Sequence, residues 1–204
     1  MRIWMICSGE AAAALPPRCT LAEYNALKER ALDGGIPAAP PRRVEANGRD
    51  VYCSPRLSAR ETAEALVTGA EPEIDALLDE LPRPTDKSKR ILPLWLWRLW
   101  LWLRRLFGAD RAVGRERADA LIDTLEKKGN DCVLISHPAM MAALIDALRV
   151  RGYCVQRTGL GAIRPFEQML LSRRDEHCGG CQHNCLLSNP GCNIGCDKAA
   201  RQRK

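Results

Sequence analysis

Two residue clusters could do chemistry. The first is Cys7-Ser8-Gly9-Glu10, a thiol and a hydroxyl at the end of the short apolar run Ile3-Trp4-Met5-Ile6. A strand end of this kind is where open α/β sheets bind ligands. A serine hydroxyl there needs a base or a metal to become a nucleophile. Cys7 does not open a Cys-x5-Arg phosphatase loop, because the residue six places on is Ala13. The second cluster is the tail Cys178-Gly-Gly-Cys181, Cys185, Cys192 and Cys196. Its first pair has the tight spacing that lets two thiolates face one ion, and Pro190-Gly191 can turn Cys192 back toward them. The expected cofactor is structural zinc, with an iron–sulfur cluster as the alternative. His177 and His183 are able to replace a thiolate, and the fifth cysteine leaves the ligand set open.

The elements that must position the first cluster follow from hydrophobic spacing. Val51 to Cys53 reads as a strand, Ser54-Pro55 as a break and Leu57 to Val67 as a helix with apolar residues at helical intervals. Cys132 to Ile135 is a continuous apolar run of the sort that forms a buried parallel strand. Pro138 suits the first turn of a helix running through Leu148. Further helices are predicted over Leu21 to Leu32 and Arg115 to Lys127, and closing strands around Gly161 to Pro165 and Gln168 to Ser172. Strands alternating with helices imply an α/β fold, a mostly parallel sheet with helices on both faces. Ser8, Ser54 and His137 then converge at the carboxyl ends of the strands.

At these three junctions the chain resembles the histidine phosphatase superfamily, the phosphoglycerate-mutase-like proteins. That family has a first strand ending in R-H-G-E, a second ending in S-P-x-x-R-A-x-x-T-A and a later one ending in S-H. Here the counterparts are Cys7 to Glu10, Ser54 to Ala63 and Ser136 to Pro138. The resemblance spans about residues 1–174 and implies a site in which a histidine attacks phosphorus, while two arginines and a second histidine clamp its oxygens. Ser8 stands at the nucleophile position, Cys7 and Ser58 stand at the two arginine positions, and His137 is retained. Glu80 matches the proton donor, and Arg56 and Arg60 flank the lost arginine closely enough to offer a guanidinium to an anion. Phosphoryl transfer depends on positioning and on cationic stabilisation. The resemblance therefore implies a divergent protein, inactive in phosphohistidine chemistry, that keeps a site for a phosphorylated small molecule or other anion near Ser8, Ser58, Arg60 and His137. Two alternatives stand beside it. One is a working phosphatase or mutase rebuilt on Ser8 or Cys7; the other is a metal or redox sensor acting through the cysteine tail.

Residues 91–108 interrupt the pattern with Trp95, Trp97, Trp100 and Trp102 among leucines, broken only by Arg98, Arg104 and Arg105. Such a helix can be a lid over the site, an interface for a protein partner or a second copy, or a helix lying on a membrane surface. Its narrow polar stripe favours burial. No run reaches the ~20 apolar residues of a membrane span. Net charge +6 among 204 residues suits a solvated surface and does not call for nucleic acid. Glu10 follows the first apolar run too closely for a secretory leader, so the expected setting is a reducing cytoplasm. There clustered thiols bind metals, and residues 175–204 form a metal-binding tail. Cys53 and Cys132 are expected as apolar filler within strands.

Overall fold

The computed structural model describes residues 1–10, 16–36, 43–85, 89–107, 110–157 and 161–173. The cysteine tail, with Cys178, Cys181, Cys185, Cys192 and Cys196, lies outside them. Along the chain run β1 (Arg2–Cys7), β2 (Arg18–Cys19), α1 (Leu21–Asp33), β3 (Val44–Glu45), β4 (Asp50–Cys53), α2 (Leu57–Leu66), β5 (Val67–Thr68) and β6 (Glu73–Ile74). A 3-10 turn at Ala76–Leu78 leads on to β7 (Leu92–Pro93), α3 (Leu94–Phe107), α4 (Asp110–Lys128), β8 (Cys132–Ser136), α5 (Pro138–Val150), β9 (Tyr153–Arg157) and β10 (Gln168–Arg173).

Six strands form the main sheet in the order β6-β4-β8-β1-β10-β9. The first four are parallel, and β10 and β9 continue the sheet antiparallel. Every residue of β8 is buried, as expected for a central strand covered on both faces. Alternation divides the two cores. Ile3, Met5, Cys132 and Leu134 meet α4 and α5 on one face. Ile6, Val133 and Ile135 meet Ala59, Ala63 and Leu66 of α2 on the other. Cys53 and Cys132 are free, buried thiols in these cores, and burial pushes Cys132 up to about 12, so it stays a neutral filler.

One expected strand is absent. Residues Gly161 to Pro165 form bends and a turn, and the closing edge strand is Tyr153–Arg157 instead. Gly161 has φ 94 and Phe166 φ 59, a left-handed backbone that no strand tolerates. The Trp-rich segment is buried on one side and exposed on the other. Trp97 is buried against Cys19, Leu21 and Tyr24, while Trp95, Leu99, Trp102 and Leu103 are exposed. Its inner face meets the entry to α1.

Candidate functional site

β4, β8 and β1 are neighbours, and their register places Cys53 opposite Ile135 and Ser136 opposite Cys7. Three strands therefore end level, and the residues after them meet. The ends are stitched by backbone: Ser8 N–H donates to Ser136 O at 2.8 Å, and Ser54 N–H to Ile135 O at 3.0 Å. Pro138 opens α5, which leaves His137 as its N-cap in extended conformation with no side-chain capping bond, free to turn its ring into the junction.

There the imidazole is held from both sides. Ser8 Oγ lies 2.6 Å from His137 Nδ1, and Ser54 Oγ lies 3.1 Å from Nε2. A neutral imidazole has one donor and one acceptor nitrogen, so one serine donates to it and the other accepts. Ser8, Ser54 and His137 are all fully buried. Burial pushes the imidazole down to about 4, against the upward pull of Asp79 and Glu10, with Arg56 and Arg83 adding to the depression. His137 is thus neutral at physiological pH.

Cys7 is buried, and its Sγ approaches Ser8 O at 3.6 Å. Burial first, and then the charges of Glu10, Glu80 and Glu167, push this thiol far up. A thiolate nucleophile needs the reverse environment. Glu80 is half-buried beside the site, and its carboxylate accepts from Leu81 N–H at 3.0 Å. The adjacent Asp79, like Glu10, is a carboxylate whose charge reaches His137.

The helix α2 brings Ser58 to the same junction. It is fully buried, and its hydroxyl makes no hydrogen bond among the described residues. One turn on, Thr62 donates to Ser58 O at 2.6 Å and accepts from Gly9 N–H at 2.9 Å. Arg56 is committed elsewhere: Nε meets Asp79 at 2.9 Å, and Nη1 meets Glu29 at 3.1 Å and Asp33 at 3.2 Å. Arg60 is exposed on α2. Arg83 pairs with Glu29 at 2.9 Å and Lys28 with Glu10 at 2.7 Å.

The junction is closed from the other side by contacts no motif announces. A Cβ on Gly9 would lie 2.4 Å from the Phe166 ring and 2.7 Å from Ile36, so both side chains press on the residue next to Ser8. Phe166 is fixed there by its own N–H, which donates to Cys7 O at 3.0 Å. Ser8 and Ser54 are legible in sequence as strand-end hydroxyls and Thr62 as a motif position; Phe166, Ile36 and the carboxylates around Arg56 are not. Among the described residues no cluster of three or more His, Cys, Asp or Glu side chains could hold a metal ion.

No family model matches the chain, and no curated protein matches it in sequence. Among solved structures it is similar to a mutant phosphoserine phosphatase from Entamoeba histolytica, in complex with phosphoserine. That match has TM-score 0.44 and 17% identity over 73% of this chain and 80% of that one. It is also similar to the protein TTHB049 from Thermus thermophilus, with TM-score 0.42 and 19% identity over 83% of this chain and 92% of that one.

Proposed function

We propose that the chain is a divergent protein on the histidine-phosphatase plan, in which the former phosphoryl site has become a closed polar core without phosphohistidine chemistry. The observation that carries this reading is the fully buried Ser8–His137–Ser54 chain, neutral throughout and packed beneath Phe166 and Ile36. A phosphoryl group needs cations aimed at its oxygens. Here the nearby guanidinium of Arg56 is held by three carboxylates. Losing two clamp arginines costs several kcal/mol of transition-state stabilisation, about 3–4 for each comparable electrostatic group removed. Hydrolysis of an aryl phosphate by the full chain and by His137→Ala tests the reading. The expected result is no turnover that depends on His137, and no rise in melting temperature with millimolar inorganic phosphate beyond that from equal ionic strength. Phosphate-specific protection would instead establish the retained anion site, since a ligand bound only by the native state stabilises it.

One observation favours a second reading. A serine hydroxyl 2.6 Å from an imidazole nitrogen is the pairing of nucleophile and base. If Ser8 is a nucleophile, a fluorophosphonate labels the protein, and the label vanishes in Ser8→Ala. For the tail, we propose thiolate coordination of zinc or an iron–sulfur cluster by Cys178, Cys181, Cys185, Cys192 and Cys196. Metal analysis of the full chain and its Cys178→Ser/Cys181→Ser variant decides it.

A further inference from the structure

We infer that α3 docks the protein on an anionic lipid surface. The helix has two unlike apolar faces. Its inner face is anchored by Trp97, whose indole N–H donates to Cys19 O at 2.8 Å and whose ring meets Trp100 edge-on, centroids 5.9 Å apart. Its outer face carries Trp95, Leu99, Trp102 and Leu103, which are 63%, 45%, 56% and 41% exposed. With the exposed Arg98, these positions fall three and four residues apart and so make one stripe. Ile91, just before the helix, extends the patch at 59% exposed. Isolated surface leucines need no explanation, but two tryptophans and two leucines in one stripe, with an exposed Ile91 ahead of it in the chain, mark an interaction surface.

Charge selects the occupant. Residues 89–107 contain Lys89, Arg90, Arg98, Arg104 and Arg105 and not one Asp or Glu. Lys89, Arg90 and Arg98 are exposed. Lipid headgroups bearing phosphate complement such a segment, each basic residue adding to the attraction near the surface. A second copy does not, because face-to-face pairing would bury Arg98 in the stripe against the same basic segment. At a lipid interface Arg98 instead extends its charge to the headgroups while its stem stays among the apolar side chains. Tryptophan favours that boundary, with its ring in the acyl region and its N–H toward water. The helix spans 14 residues, about 21 Å at 1.5 Å per residue, so it lies in the interface and does not cross it. Among the described residues no helix is long and apolar enough to cross a membrane.

The test is co-sedimentation of the full chain with vesicles of phosphatidylglycerol and phosphatidylcholine, and with phosphatidylcholine alone. Binding to the anionic vesicles is expected, weakening with added salt and falling at least about tenfold in Trp95→Glu/Trp102→Glu. Those side chains are exposed, and the variant's melting temperature checks that the fold survives. A second measurement needs no variant: brominated acyl chains in the anionic vesicles should quench the wild-type tryptophan emission. Absence of anionic-vesicle binding at low salt overturns the inference, as does binding unchanged in the folded double variant. A concentration-dependent dimer that the double variant abolishes, without vesicle binding, replaces lipid with a second copy.

Discussion

His137 sits between two hydroxyls in a site that excludes water, and this makes it a pH liability. Its folded pKa is about 4 against an ordinary value of 6.5, with burial the main cause. Between those values the unfolded chain takes up a proton that the native state refuses, so stability is full above pH 6.5 and falls as pH drops toward 4. The depression corresponds to about 3 kcal/mol at about 1.36 per unit. His137→Gln removes this dependence, so urea midpoints of the two proteins should diverge less at about pH 4.5 than at pH 7, once the loss of the serine bonds is taken as a constant offset. A gap of constant size would contradict a neutral buried imidazole. Gly9 makes a second prediction. Its Cα faces the Phe166 ring and Ile36 so closely that Gly9→Ala should cost about 1–3 kcal/mol. Phe166→Ala lowers stability on its own, but in the double variant the alanine at position 9 is relieved of the nearer of its two close contacts, with Ile36 remaining. A double-mutant cycle should therefore show favourable coupling of about 0.5–3 kcal/mol; simple additivity would mean that the ring does not press on Gly9.

At the scale of elements, α3 divides its tryptophans by role. Trp97 fills the small core with Cys19, Leu21 and Tyr24, and its indole hydrogen bond ties α3 to the chain just before α1. Trp97→Ala should cost about 3–5 kcal/mol, whereas Trp102→Ala on the exposed stripe should stay within about 0.5 kcal/mol of wild type. Equal losses would mean that the outer face is covered in the folded monomer. The turn that begins α1 has comparable local definition. Thr20 caps it by accepting from Glu23 N–H at 3.2 Å, and Glu23 returns the bond to Thr20 N–H at 2.8 Å, a capping box readable from Thr20 and Glu23 alone. On the far side Arg151, at the end of α5, reaches Asp119 and Glu126 of α4, which fixes these two helices against one another.

For the whole molecule, what is legible in sequence is whatever is encoded within a dozen residues. The run Cys132 to Ile135 announces a strand buried on both faces, and the 3.6-residue spacing after Pro55 announces α2. Strand ends in Ser8, Ser54 and His137 are therefore placeable, and an α/β sheet can be assembled around them. The remainder depends on contacts between distant segments. Arg56 reads in sequence as a guanidinium available to a ligand because Glu29, Asp33 and Asp79 come to it from α1 and from the turn after β6, not from its own helix. The strand β9 escapes sequence reading because Tyr-Cys-Val-Gln-Arg is half-buried at a sheet edge and lacks a continuous apolar run. The exposed side of α3 escapes it too, because an apolar sequence states a preference for burial without saying whether the fold supplies enough surface to satisfy it.

The closure over Ser8 has a kinetic side. Phe166 stands at the mouth of β10, its N–H on Cys7 O, and Cys7 N–H in turn donates to Glu167 O at 2.9 Å. The stopper is thus a turn residue held by backbone bonds just beyond the end of the β1–β10 ladder. Ser8 is fully buried, so a reagent reaches it through local opening of this corner, and fraying of the β1–β10 end is the opening expected. Labelling of Ser8 would then be slow in the native protein and would accelerate with sub-denaturing urea, so the hydroxyl doubles as a clock for the sheet edge.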